Sequence, residues 1–178
     1  GMVEILESIK PIIRIMEFSL LGILLVHISN AIYLTRKNKE KPLSKYQAGL
    51  LTDSSSINSR TMIFTGTAIL IFIVFHLSYI WYSYQIHYGM DEGHTYYTIL
   101  LQNKFGFLGH TLTAILYILS IALIGSHLKH GFESALKTFG IVKESKLYFL
   151  YNISIFFWGI IPMGFIIIIL CIQLGLIK

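Results

Sequence analysis

Four long apolar runs alternate with polar, charged connections along this chain. They cover about residues 11–35, 61–84, 107–138 and 147–176. A helix needs about 20 apolar residues to cross a bilayer at a rise of about 1.5 Å per residue, and every run is long enough. Helices are expected rather than strands, because backbone groups in lipid must be satisfied within their own segment. The pattern predicts an all-α transmembrane helical bundle, a single domain over residues 1–178, with Pro11 in the first turn of the first helix.

The composition agrees with a membrane protein. Of the 178 residues, 54% are hydrophobic and only 13% are charged, whereas soluble domains carry about 25% charged residues. The single cysteine, Cys171, lies in the last apolar run, which excludes an internal disulfide and a thiolate metal site. The expected surrounding is a lipid bilayer, and no nucleic-acid partner is expected.

The basic residues divide unevenly between the two ends of the predicted helices. Ten of the fourteen Lys and Arg residues fall in or beside the first and third connections. They are Arg36, Lys37, Lys39, Lys41, Lys45, Arg60, Lys129, Lys137, Lys143 and Lys146. The positive-inside rule then places loops 36–60 and 138–146 in the cytoplasm. The middle connection carries YIWYSYQIHYG at residues 79–89, which is typical of an aromatic belt at the outer interface.

Histidines inside the apolar helices are the chemically informative residues, because ionisable groups within spanning segments are costly and usually functional. His27 precedes Arg36 by nine residues and His127 precedes Lys137 by ten, on helices predicted to run in the same direction. The two imidazoles are therefore expected at nearly equal depth, with His76 roughly 10 Å nearer the outer face. Two neutral imidazoles at one depth on different helices can coordinate a haem iron from both sides. Taken singly, each histidine fits equally well a hydrogen bond to a neighbouring helix.

Other metal or proton chemistry fits the pattern less well. Zinc prefers four ligands with help from cysteine or carboxylates, and residues 18–35 around His27 contain no carboxylate. A proton relay would more often use buried Asp or Glu. Glu17, with Arg14 three residues earlier, is the acidic candidate. These two residues are candidates for an outer quinone site, or else they form an ion pair that anchors the helix end.

A flat cofactor would need space between helices and polar groups at its edge. Glycines on the ligand-bearing helices either let the backbone approach a macrocycle or serve ordinary helix packing. They are Gly66, Gly125 and Gly131. Haem propionates require cations or hydroxyls, and taken alone such residues more often snorkel or set topology. The candidates at the cytoplasmic edge are Ser59, Arg60, His130 and Lys137.

Three sequence blocks together resemble a known family. They are RIMEFSLLGILLVHISNAIYLT at residues 14–35, SRTMIFTGTAILIFIVFHL at 59–77 and HLKHGFESALKTFG at 127–140. In this order, and over nearly the whole chain, they resemble the cytochrome b membrane-anchor subunit of succinate dehydrogenase and fumarate reductase, of the menaquinone-linked, usually dihaem type. The resemblance implies that His27 and His127 hold the proximal haem b, nearest the iron–sulfur subunit, and that His76 is one ligand of the distal haem. The choice of His127 over His130 rests on the resemblance.

The family pattern has a fifth spanning helix, at the N terminus, that bears the second distal ligand. Only about nine residues precede Pro11 in this chain, too few to span. We expect that this helix precedes the given sequence and that the intact protein holds two haems. With four helices alone, one haem is expected unless His110 or another chain completes the distal site. The resemblance also matches Ser59 and Arg60 to a helix start that meets cofactor carboxylates or quinone, and residues 14–17 to the family's outer RIxE block.

The resemblance implies a non-catalytic electron-transfer subunit in the bacterial cytoplasmic membrane. A flavoprotein subunit and an iron–sulfur subunit would dock on the cytoplasmic face, and electrons from succinate would pass through haem to menaquinone. Fumarate reduction would run the path backwards, and either direction links the respiratory chain to the tricarboxylic acid cycle. Two alternatives stay open. One is the cytochrome b anchor of another membrane oxidoreductase, of the hydrogenase or formate dehydrogenase type. The other is a haem-free helical anchor or transporter whose histidines serve packing or protons.

Overall fold

The described residues are mainly helical, with turns and loops at residues 101–110 and 174–177. The computed structural model describes residues 2–39, 53–83, 99–139 and 144–177. The helices are α1 (Met2–Lys39), α2 (Asp53–His76), α3 (Thr111–Thr138), α4 (Glu144–Ile155) and α5 (Ile161–Gln173). A π-helical turn, Leu77–Trp81, continues α2, and a second, Phe156–Ile160, joins α4 to α5 in one unbroken helix. The predicted all-α class is confirmed.

Four of these helical stretches are long and apolar enough to cross a membrane. They are Lys10–Lys37, Thr61–Trp81, Thr111–Leu136 and Phe149–Gln173. Large apolar side chains lie exposed along them, such as Phe18 at 71% and Phe64 at 76% of full exposure. Contact of such side chains with lipid tails costs no free energy, whereas their exposure to water is unfavourable. The four predicted spans are confirmed, and the cytoplasmic assignment of loops 36–60 and 138–146 stays a prediction.

Two predicted helix starts differ from those of the structure by eight or more residues. Helix α1 begins at Met2, so that Pro11 lies inside the helix and not in its first turn. Proline removes one backbone hydrogen bond, but a helix continues through it where its neighbours re-satisfy the freed groups, as in many spanning helices. Helix α2 begins at Asp53, eight residues before the predicted start, because polar residues at a helix start add length that an apolar pattern does not reveal.

The chain divides into two compact units, residues 1–56 and 57–178. In the first unit, α1 satisfies its own polar side chains. The hydroxyls of Ser19, Ser29 and Thr35 each donate to the backbone carbonyl four residues earlier, at 2.7–2.8 Å. Such bonds allow hydroxyl residues to face lipid. The prediction of a single domain stays a prediction.

In the second unit, α3 packs closely against the helix made of α4 and α5. Gly125 of α3 is buried, and a Cβ built there would lie 2.8 Å from the carbonyl oxygen of Trp158 and 3.7 Å from Pro162. Only a residue without a side chain lets the two backbones approach this closely. Gly125 therefore serves helix packing, the second of its two predicted roles.

Residues 99–110, called the outer segment because the charge pattern predicts them on the outer side, close one end of this bundle. Gly106 has φ +100°, and a Cβ there would overlap the ring of Tyr79 at the end of α2. Its N–H donates to Thr113 Oγ1 on α3 at 3.1 Å. From the end of α5, Gln173 Nε2 donates to the Leu108 carbonyl at 2.6 Å. The end of the second, the start of the third and the end of the fourth spanning helix thus meet, and these helices alternate in direction as predicted.

Candidate functional site

His127 faces helix α2. Its Nδ1 lies 3.1 Å from the hydroxyl oxygen of Thr65. The neighbouring residue, Gly66, lies beside the other part of the ring, where a Cβ would be 3.4 Å from Cε1 of His127. The glycine therefore lets the α2 backbone lie close to the Cε1 edge of the imidazole. Helix α2 thus supplies the hydroxyl oxygen, and α3 supplies the imidazole.

The hydroxyl of Thr65 also reaches its own helix. Its Oγ1 lies 2.9 Å from the carbonyl oxygen of Thr61 and 3.2 Å from that of Met62. Met62, also on α2, lies beside Gly131 of α3. A Cβ at Gly131 would lie 3.9 Å from Met62 Cε. This end of the α2–α3 contact is therefore lined by two glycines, one threonine and one histidine.

His76 forms a second polar contact between the same two helices. Its Nδ1 lies 3.2 Å from the phenol oxygen of Tyr117, which is 5% exposed. Aromatic rings surround this pair: Phe72 lies edge-on to Tyr117 with ring centroids 4.9 Å apart, and Phe75 lies 6.2 Å from Tyr117. The imidazole of His76 is thus held in apolar surroundings with one hydrogen-bond partner.

The two histidine levels are separated by more than the sequence predicted. His127 and the Tyr117 partner of His76 are ten residues apart on α3, which corresponds to about 15 Å along the helix. The predicted separation was roughly 10 Å. It assumed that Arg60 and Lys137 mark the same depth. Thr65 faces His127 and follows Arg60 by five residues, whereas Lys137 follows His127 by ten, so the two basic residues stand at different depths.

The other predicted ligand, His27, lies in the middle of α1 with an exposed side chain. It belongs to the first compact unit and His127 to the second. The pairing of these two histidines on one haem therefore stays a prediction.

Arg14 and Glu17 form an ion pair on α1. Arg14 Nη1 lies 2.7 Å from Glu17 Oε2, and the two side chains are 38% and 33% exposed. The ion pair itself is present, but it lies inside α1 and not at the end of the helix, and the predicted quinone role stays a prediction. Such a pair three residues apart on a helix stabilises it by about 0.2–0.5 kcal/mol.

The remaining candidates are spread over α2, α3 and the outer segment. Ser59 and Arg60 lie in α2 and Lys137 in α3, but their side chains are outside the described residues. His130, three residues after His127, is half-buried. The propionate role of these four stays a prediction. His110 Nδ1 lies 3.4 Å from Thr113 Oγ1, and its ring lies 5.8 Å from Phe105, so this histidine belongs to the outer segment.

The described part of the chain contains no cluster of metal-binding side chains. Within residues 2–39, 53–83, 99–139 and 144–177, no three His, Cys, Asp or Glu side chains come together as an ion such as zinc requires. A haem iron requires only two protein ligands. Comparison with protein-family models, with curated proteins and with solved structures found no match to this chain.

The sequence did not identify Thr65 and Tyr117 as the hydrogen-bond partners of His127 and His76. Both partners of the histidines have a weak signal there. Tyr117 is the single tyrosine within residues 107–138, and Thr65 directly precedes a glycine on a helix that also carries a histidine. Neither signal identifies a partner, because the helix face of each residue depends on packing.

Proposed function

We propose that this protein is a haem b-binding membrane anchor that carries electrons between an iron–sulfur subunit and membrane quinone. Its complex would be a succinate:quinone oxidoreductase of the bacterial cytoplasmic membrane. The observation that supports the proposal most directly is the contact between His127 and Thr65, 3.1 Å from Nδ1 to the hydroxyl oxygen. A histidine that ligates a metal through one ring nitrogen almost always hydrogen-bonds an oxygen through the other.

His127 and His76 both have an oxygen of the neighbouring helix beside Nδ1. Axial ligation of a haem would then use Nε2. Gly66 lets α2 lie close beside the His127 ring, and a flat cofactor beside that ring would also require a small residue there. His127 and His27 would hold the proximal haem, and His76 would supply one ligand of the distal haem. Bound there, haem supplies reversible one-electron chemistry.

The chain's own residues would bind, orient and exclude water. Phe72, Phe75 and Tyr117 keep the surroundings of His76 apolar, which disfavours extra charge and so affects the potential of a bound group. The Arg14 guanidinium would donate a hydrogen bond to menaquinone. Glu17 would accept a proton from the reduced quinone as a carboxylate, or donate one to the quinone as a carboxylic acid. The basic connections 36–60 and 138–146 would face the iron–sulfur and flavoprotein subunits.

A second candidate function is a haem-free helical anchor. The contact of His76 with Tyr117 favours it, because a histidine that only ties two helices together would form the same hydrogen bond. A cytochrome b anchor of the hydrogenase or formate dehydrogenase type is a variant of the main proposal with another partner complex.

Haem content decides between these functions. Membranes containing the full chain and its complex are solubilised in mild detergent, and haem is measured by pyridine haemochrome and by the reduced-minus-oxidised spectrum. We expect a b-type α band, loss of one haem in His127→Ala and retention in the matched variant His130→Ala. Absence of haem from the wild-type complex would exclude the main proposal. Copurification of a flavoprotein that oxidises succinate separates this complex from the hydrogenase and formate dehydrogenase types.

A further inference from the structure

We propose that Thr65 fixes the tautomer of His127 and thereby determines that Nε2, and not Nδ1, presents a lone pair. Thr65 is then a positioning residue that acts through His127. The tautomer is a property of the protein alone, while its consequence for an iron ligand rests on the proposed function.

The argument begins with the single proton of the Thr65 hydroxyl. Its oxygen lies 2.9 Å from the Thr61 carbonyl and 3.2 Å from the Met62 carbonyl. Hydroxyls in apolar helices donate to such carbonyls because no water is there to accept. Six other hydroxyls of the described helices donate to the carbonyl four residues earlier. They belong to Ser19, Ser29, Thr35, Thr67, Ser78 and Thr138.

With its proton on the backbone, Thr65 meets His127 as an acceptor. Its oxygen lone pairs face Nδ1 at 3.1 Å, so Nδ1 must carry the proton. A neutral imidazole has one ring proton, and Nε2 is then the basic nitrogen. His76 differs in this respect, because the Tyr117 phenol can both donate and accept and does not select a tautomer.

The consequence concerns the reduction potential of a ligated iron. An acceptor at Nδ1–H makes Nε2 a more basic ligand, which favours the oxidised, more positively charged iron and lowers the potential. Loss of that acceptor typically costs 10–100-fold in affinity or activity at metal sites. We therefore expect Thr65→Val to weaken haem binding at least about tenfold and to raise the midpoint potential of that haem.

The first test reads the tautomer without haem. Nitrogen-15 NMR of the full chain, expressed without haem and labelled at histidine, distinguishes protonated from bare ring nitrogens, and His127→Gln assigns the resonance. We expect a protonated Nδ1 and a bare Nε2 in the wild type. A protonated Nε2 would overturn the inference, whether or not the protein binds haem. This result therefore separates failure of the inference from failure of the proposed function.

The second test uses three variants in the assembled complex. Thr67→Val is the matched control, because Thr67 lies on the same helix, is exposed and donates to the Ile63 carbonyl at 2.9 Å. Thr65→Ser retains the oxygen and should restore wild-type behaviour. In a redox titration, Thr65→Val should change the ratio of reduced to oxidised haem up to about tenfold at fixed potential, which is about 59 mV for one electron. An unchanged potential in Thr65→Val overturns the inference. If that variant does not assemble, the wild-type NMR result decides.

Discussion

The phenol oxygen of Tyr117 lies 3.2 Å from Nδ1 of His76, and this contact joins α3 to α2 about 15 Å from the contact between His127 and Thr65. The same two helices are therefore tied by a histidine at two depths, with the imidazole on α2 in one case and on α3 in the other. Hydrogen bonds between spanning helices contribute about 0.6–2 kcal/mol each. Two of them fix the register of α2 along α3.

Tyr117→Phe should destabilise the protein by about 0.5–2 kcal/mol, because the ring remains but His76 Nδ1 loses its oxygen partner. The free energy of unfolding in mixed micelles is the appropriate measurement. Tyr82→Phe is the matched control, since Tyr82 is 57% exposed. Equal stability of the Tyr117 and Tyr82 variants would show that the contact contributes nothing.

Substitutions at Gly66 and Gly164, which both lie on spanning helices, should have different outcomes. Gly66→Ala places a methyl group 3.4 Å from His127 Cε1, so the imidazole must shift by a few tenths of an ångström, and Gly66→Val must displace it. We expect Gly66→Val to lose the haem assigned to His127, as judged by the reduced-minus-oxidised spectrum. Gly164→Ala is the control, because nothing lies within 4 Å of a Cβ at that position. A full haem complement in Gly66→Val would place the cofactor elsewhere.

The spans themselves were predictable from the sequence, because length and apolar content alone decide whether a helix can cross a bilayer. Packing was not. The apolar pattern placed Gly66 and Gly125 in one class, while the structure assigns one to the His127 ring and the other to the Trp158 backbone. Which neighbour a residue meets depends on helix rotation, and in an all-apolar helix the periodicity that would reveal the rotation is absent.

Gly125→Ala should destabilise by about 1–3 kcal/mol, because its Cβ would lie 2.8 Å from a backbone oxygen that cannot turn away. Thermal unfolding in detergent measures the loss. The control is Gly159→Ala, whose Cβ would meet only Ile155 Cγ2 at an ordinary 3.6 Å. If both variants unfold at the same temperature, α3 and the Phe156–Ile160 turn are not in close contact.

Gln173→Leu should loosen the outer segment while leaving the spanning helices intact. The substitution removes the 2.6 Å hydrogen bond to the Leu108 carbonyl and leaves that carbonyl without its amide donor. Hydrogen exchange should become faster in residues 99–110. Asn152→Leu, an exposed amide on the same spanning helix, serves as the control. Unchanged exchange in Gln173→Leu would contradict a role for this bond in holding the segment.

The histidines were predictable as a set, but their partners were not. Ionisable residues within apolar runs are visible in any sequence, and this alone selects His27, His76, His127 and His130. The choice of His127 over His130 rests on the family resemblance. Thr65 looked like an ordinary hydroxyl residue, because its role depends on facing α3 rather than lipid, and Thr67 two residues later shows the other outcome. The two π-helical turns were also missed. Leu77–Trp81 contains no glycine or proline, and Gly159 and Pro162 at the second turn do not by themselves predict a π-helical turn.

The bond between Gln173 and Leu108 has a consequence for the order in which the protein is made. The two residues are 65 positions apart, and Leu108 leaves the ribosome first. Residues 99–110 are therefore synthesised before the residue that clamps them. The bond to Leu108 can form only after the last helix has been made, so a segment from the middle of the chain is completed by the end of the chain.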